Sequence, residues 1–172
     1  MEYKIQYEKR KSVTLSVKGG ELVVKAPHGT PKEKLDAIVL KHRRWIFTHI
    51  EREADKKRLN DALTEDDIKR LKKSAREYLV RKTNYFSEIM NLKYSRITIT
   101  SASGRFGSCN SKGNIAYSYR LMLYPEAARE YVVVHELAHL VHMNHSKEFY
   151  SLVEKYLPDW KDRKKLLKEI PS

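Results

Sequence analysis

His135-Glu136-Leu137-Ala138-His139, set in the run from Glu130 to Leu140, is the stretch that decides how this chain reads. Pro125 suits the first turn of a helix, and Val132, Val133, Val134, Leu137 and Ala138 mark that helix as buried on most sides, to about Val141. On a helix, two histidines four apart are offset by about 40° around the axis and about 6 Å along it, so both imidazoles reach one cation. Glu136 then points near the open side of that cation, where a carboxylate takes a proton from water. Burying two imidazoles and a carboxylate side by side demands a partner, and a metal ion supplies one.

A hydrolytic zinc needs a third protein ligand and an open fourth position. His142 and His145 are the nearby candidates. His142 stays near the face of His139 if the helix continues. Asn144 suits a helix stop and Ser146 a cap for the next helix, over 147–156, which leaves His145 in the turn between them, able to fold back on the ion. His145 is preferred on that ground. A structural zinc would need a fourth ligand, for which Cys109 is the only thiol, and it would have no use for Glu136. Cys109 as a nucleophile is the weaker reading, because a lone cysteine in an apolar strand is usually inert.

Outward from the motif, the pattern is α+β. Residues 3–8, 13–17 and 21–26 read as strands, with Gly19-Gly20 closing a hairpin. Thr30-Pro31-Lys32-Glu33 reads as a capped helix start, with Thr30 as the cap and Glu33 completing the box. One helix then carries Leu35, Ile38, Val39, His42, Trp45, Ile46, His49 and Ile50 on its buried stripe. After a polar stretch at 59–63, Thr64 caps a second helix whose core face is Ile68, Leu71, Ala75, Tyr78, Leu79, Tyr85, Phe86 and Ile89. Strands follow at 96–101 and 114–121, with a further segment at 105–109. The expected organisation is a small N-terminal β-hairpin/helix lobe, 1–60, packed on a core of 61–172 as one unit overall.

With 172 residues, 41% of them hydrophobic, the chain can bury a domain-sized core without a disulfide framework, which its single cysteine excludes in any case. No apolar run approaches the ~18 residues of a membrane span, and Met1-Glu2-Tyr3-Lys4 does not read as a signal peptide. The expectation is a cytoplasmic monomer with no membrane partner. The net charge of +13 is concentrated early, with fifteen basic against eight acidic residues in 1–60, and such a field admits DNA or another polyanion as a partner.

Around the histidines the chain resembles the YgjP-like metallopeptidases, relatives of the SprT and WLM groups in the zincin class. The likeness is carried by Arg105-Phe106-Gly107-Ser108-Cys109, Gly113-Asn114-Ile115, Leu121 and Pro125, and by the run from Glu130 to Leu140. Asn144-His145-Ser146 with Phe149, and Pro158-Asp159-Trp160-Lys161, continue it, and Arg10-Lys11-Ser12 and Ala26-Pro27 extend it toward the N-terminus. Phe106 and Tyr150 stand where the family usually has Trp, both retaining an aromatic. The resemblance implies a zincin-like core with an antiparallel sheet and a metal-binding helix. It also implies one zinc held by His135, His139 and His145, with Glu136 as general base, and a strand at 114–121 running along the cleft.

The resulting expectation is a zinc peptidase in which Glu136 relays a proton from water to the leaving amine. Other divalent transition metals suit the same ligands. A polypeptide substrate would pair with an edge strand near Ile115, Tyr117 and Tyr119. Tyr117, Tyr119 and Asn144 are candidate oxyanion donors. Two rival readings are a SprT-like protease acting on DNA-bound proteins and a non-catalytic basic binding protein with a structural metal.

Overall fold

The computed structural model describes residues 2–168, apart from the side chains of Lys56 and Asn60, so the expected boundaries at residues 1 and 172 lie outside the described residues. Within it the chain forms two compact units, the first ending at Leu63 and the second beginning at Thr64.

In the first unit, β2 (Thr14–Lys18) and β3 (Glu21–Pro27) form the antiparallel hairpin. Gly19 and Gly20 turn it with φ of 58° and 83°, a region that side chains disfavour. β1 (Lys4–Glu8) pairs parallel to β3 on its other side, which makes β3 the central strand. Helices α1 (Lys32–Lys41) and α2 (Arg43–Ala62) supply Leu35, Val39 and Ile46 to a cluster with Leu22, Val24 and Ala26.

The single helix expected here is two. The chain bends at His42 (φ −101°, ψ 13°), whose N–H is shared between the carbonyls of Ile38 and Val39. An unbroken helix over 32–62 would run about 46 Å, twice the roughly 23 Å of a seven-residue strand beneath it. The bend keeps Leu35, Val39 and Ile46 on one cluster, but it turns Trp45, 39% exposed, away from the core. The expected cap also differs. Thr30 donates its hydroxyl to the Pro27 carbonyl (2.8 Å), and Pro31 occupies the cap position without a side-chain bond.

The second unit opens with the capping box at full strength. The Asp67 N–H donates to Thr64 Oγ1 (3.2 Å), and the Thr64 N–H donates to Asp67 Oδ2 (3.1 Å), at the start of α3 (Glu65–Ile89). Its buried positions are Ala75, Leu79, Thr83, Phe86 and Ser87, whereas Tyr85 and Ile89 face outward. The sheet comprises β4 (Arg96–Thr100), β5 (Gly107–Cys109) and β6 (Asn114–Ser118) in the order β4-β6-β5. It is mixed rather than antiparallel: β4 runs parallel to β6, and β5 returns antiparallel along β6's other side. A short 3-10 turn over Tyr119–Leu123 leads into α4 (Glu126–Ala138), followed by α5 (Lys147–Tyr156) and α6 (Trp160–Leu166).

Two polar contacts tie these layers together. The buried hydroxyls of Thr83 on α3 and Tyr117 on β6 lie 3.1 Å apart. Glu130 on α4 receives Lys82 from α3 (2.6 Å) and Arg163 from α6 (2.7 Å), with all three side chains about a fifth exposed. A carboxylate serving two partly buried cations is hard to replace. Glu130→Ala should lower unfolding stability by about 1–3 kcal/mol, measured by urea denaturation.

Candidate metal centre

α4 is apolar almost all round: Val132, Val133, Val134, Leu137 and Ala138 are at most 4% exposed. The polar side chains on that helix therefore sit where water scarcely reaches. His135 lies one turn before its end, Glu136 is 5% exposed, and His139 forms the C-cap at 9%. Beyond His139 the backbone tightens, with Leu140 and Val141 bonding to carbonyls three residues back. The chain then reverses through Asn144 and enters α5, capped by the Ser146 hydroxyl, which accepts from the Phe149 N–H (3.4 Å).

That reversal brings His145 back onto α4. Ligand-capable atoms of His135, His139 and His145 all lie within 4.8 Å of one another, and the Nε2 atoms of His135 and His145 are 3.0 Å apart. His142 does not join the group. Its contribution is its carbonyl, 3.0 Å from His139 Nδ1. That contact makes Nδ1 the protonated nitrogen and frees Nε2 as a ligand. Tyr131 OH stands 3.4 Å from His135 Nδ1 on the preceding turn.

Phe149, fully buried, is the floor of the site, with its ring centre 4.9, 4.6 and 4.9 Å from the rings of His135, His139 and His145. A second aromatic row backs His145: Tyr150 stacks near it at 6.1 Å, Trp160 stacks on Tyr150 at 4.7 Å, and Lys164 lies over both outer rings. Burial, then the neighbouring imidazoles His139 and His145, push His135 down to about 3. His145 is lowered as well, by burial first and then by His139 and Lys164. Both shifts favour the neutral imidazole, the form a metal requires of its ligands.

Glu136 has the opposite problem. Burial pushes its carboxyl up to about 8, against a counteracting pull from Arg105. Among the described residues its Oε2 is buried without a hydrogen-bond partner. A bare carboxylate oxygen beside three clustered imidazoles is a donor set that a divalent cation completes. The residues present fit such an ion.

Opposite Glu136 runs β5. A Cβ placed on Gly107 would stand 2.5 Å from Glu136 Oε1 and 2.7 Å from its Cγ, so the strand approaches the carboxylate only because residue 107 has no side chain. Neither Gly107's role nor Phe149's was deduced from the residues themselves. The glycine in a strand pattern was the available signal for a close backbone approach.

The expected substrate strand is displaced. β6 is the central strand, paired on both sides, and Ile115, Tyr117 and Tyr119 are at most 1% exposed. Their alternating apolar pattern reflects core packing, so none of the three is on an accessible edge, and Tyr117 and Tyr119 are unavailable as oxyanion donors. Asn144 is exposed in the turn before His145. In this sheet the edge nearest Glu136 is β5. Cys109, at the end of β5, stays outside the histidine group, and its thiol is pushed up to about 11 by burial and then by the charge of Glu136.

Three imidazoles from a buried helix and its following turn, with one adjacent acid, form a group able to hold a single divalent metal ion. The YgjP-like, metallopeptidase domain matches residues 53–170, and the chain belongs to that family. Among solved structures, it is similar to the metallopeptidase zymogen abylysin of Pyrococcus abyssi, known from a crystal structure. The two share 22% identity over 52% of this chain and 90% of that one, at a TM-score of 0.48. No curated protein matches the sequence.

Two expectations follow from this geometry. Gly107→Ala should cost about 1–3 kcal/mol of stability by overpacking against the carboxylate, and the cost should vanish in a Glu136→Ala background, read as a double-mutant cycle in urea. Iodoacetamide at pH 7.5 should label Cys109 at least about tenfold more slowly than a free thiol, followed by intact mass.

Proposed function

We propose that the protein is a zinc-dependent peptidase that hydrolyses peptide bonds at the His135–His139–His145 centre. The observation that carries the reading is Glu136, buried and, among the described residues, with one carboxylate oxygen lacking a hydrogen-bond partner, on the same helix end as the imidazoles of His135, His139 and His145. A structural site would close with a fourth protein ligand, and among the described residues none joins the three.

His135, His139 and His145 would hold the ion through nitrogen, and the contact of His139 Nδ1 with the His142 carbonyl leaves that ring's Nε2 free for it. The chemistry supplied at that centre is Lewis acidity, which brings the pKa of a water toward ~7 and polarises the scissile carbonyl. Glu136 accepts the proton of the attacking water at its carboxylate and delivers it to the leaving amine nitrogen. The carbonyl carbon gains a hydroxyl as the C–N bond breaks. The walls of Phe149 and the α4 valines keep bulk water from competing for that proton. β5 offers an extended substrate an unpaired backbone edge, with Gly107 leaving the strand bare where it faces the acid. Main-chain pairing makes polypeptide the substrate class.

Purified protein should bind one zinc per chain by elemental analysis and cleave an internally quenched peptide library. Glu136→Gln should retain the metal and lose about 10²–10⁴-fold in rate. His145→Ala should weaken metal affinity by more than about 100-fold. Chelation should abolish cleavage and added zinc restore it. Wild-type cleavage by Glu136→Gln, or failure to take up any divalent metal, would refute the reading.

A further inference from the structure

The first unit presents an aromatic surface that its own core does not use. Trp45 was expected on the buried stripe, yet of its turn only Ile46 is buried. Along the outward face of α2, Trp45 and His49 stack at 4.0 Å between ring centres, inclined by 29°, and His49 Nδ1 lies 2.8 Å from the Trp45 carbonyl. The imidazole is thereby held beneath the indole. Around this pair, Lys41 and His42 at the helix bend and Arg44 and Arg52 along α2 line an open hollow of about 460 Å³.

Among the described residues, no carboxylate lines that hollow. None of the ion pairs among the described residues engages Lys41, Arg44 or Arg52. From Arg44 to Arg52 the helix rises about 12 Å, enough for its cations to meet several phosphates of one strand. A solvated lysine-rich face has no need of a tryptophan, and leaving an indole partly in water forgoes hydrophobic stabilisation. An exposed aromatic plane framed by unpaired cations is the chemistry that recognises an unstacked base and its backbone.

We propose that this face of α2 binds single-stranded nucleic acid, with a base stacked on Trp45 and phosphates held by Lys41, Arg44 and Arg52. A duplex keeps its bases stacked inside and offers the indole no partner, so single strands are favoured. A lipid surface fits less well. The other exposed aromatic of α2, Phe47 at 56% exposure, lies about 200° around the helix from Trp45, so no continuous apolar stripe faces one way. The inference stands on the first unit alone and is independent of the peptidase reading.

The test uses the full chain and a fluorescein-labelled oligo(dT) of about twelve nucleotides, followed by anisotropy. Binding at roughly 50 mM salt should fall steeply toward 200 mM. Trp45→Ala should weaken it at least about fivefold, and Trp45→Phe should restore most of the loss. Arg44→Glu with Arg52→Glu should lower the logarithmic salt slope by about 1.4, the share of two phosphates on a single strand. Lys73→Glu with Arg76→Glu, an equal charge change on α3, should cause a smaller loss, with circular dichroism confirming that every variant is folded. No anisotropy change at the lower salt would overturn the proposal. So would equal affinity in wild type and Trp45→Ala, or tighter binding to the matching duplex. Binding to phosphatidylserine vesicles without binding to oligo(dT) would reassign the face to lipid.

Discussion

Everything in the second unit is arranged around one awkward demand: a helix buried on nearly every side must also carry a carboxylate and two imidazoles. The solvation those groups lose has to be replaced locally. The turn after α4 replaces part of it by sending a backbone carbonyl to one imidazole and a third histidine to the other. Phe149 then seals the rings from below, and the tight pass of β5 closes the side facing Glu136. One carboxylate oxygen is still left over. Among the described residues, that remainder sets this helix end apart from a merely well-packed one.

The features legible in the chain were those whose cause is local. The spacing of His135 and His139, the hairpin at Gly19-Gly20 and the cap at Thr64 each depend on a few successive residues, and each is found in place. The preference for His145 over His142 also rested on local signals, a stop followed by a cap, and the structure brings His145 to the other two. What failed was non-local. β6 alternates just as an edge strand would, but which strand sits in the middle depends on where β5 comes to rest. Parallel pairing of β1 with β3 and of β4 with β6 is equally invisible in the alternation of either strand.

The helices show the same division. Periodicity located α2 and α3 but not the edges of their buried faces: past the bend at His42, Ile46 and Ile50 keep to the core while Trp45 turns out. Tyr85 and Ile89 on α3, and Trp45 on α2, were expected inside and lie outside. Glu130 offers a different lesson. Nothing near it in sequence foretells that it answers Lys82 and Arg163, some forty-eight and thirty-three positions away. Such ties become visible only once three helices have been brought together.

The contact between His139 Nδ1 and the carbonyl of residue 142 has an evolutionary consequence. The group that orients this imidazole belongs to the main chain, and every amino acid brings the same carbonyl to that position. Residue 142 can therefore vary in side chain, proline excepted because its N–H bonds the Ala138 carbonyl, provided the loop keeps its length and path. Comparing relatives column by column would record 142 as tolerant and pass it over. Selection there acts on insertions, deletions and backbone shape, which substitution patterns do not register.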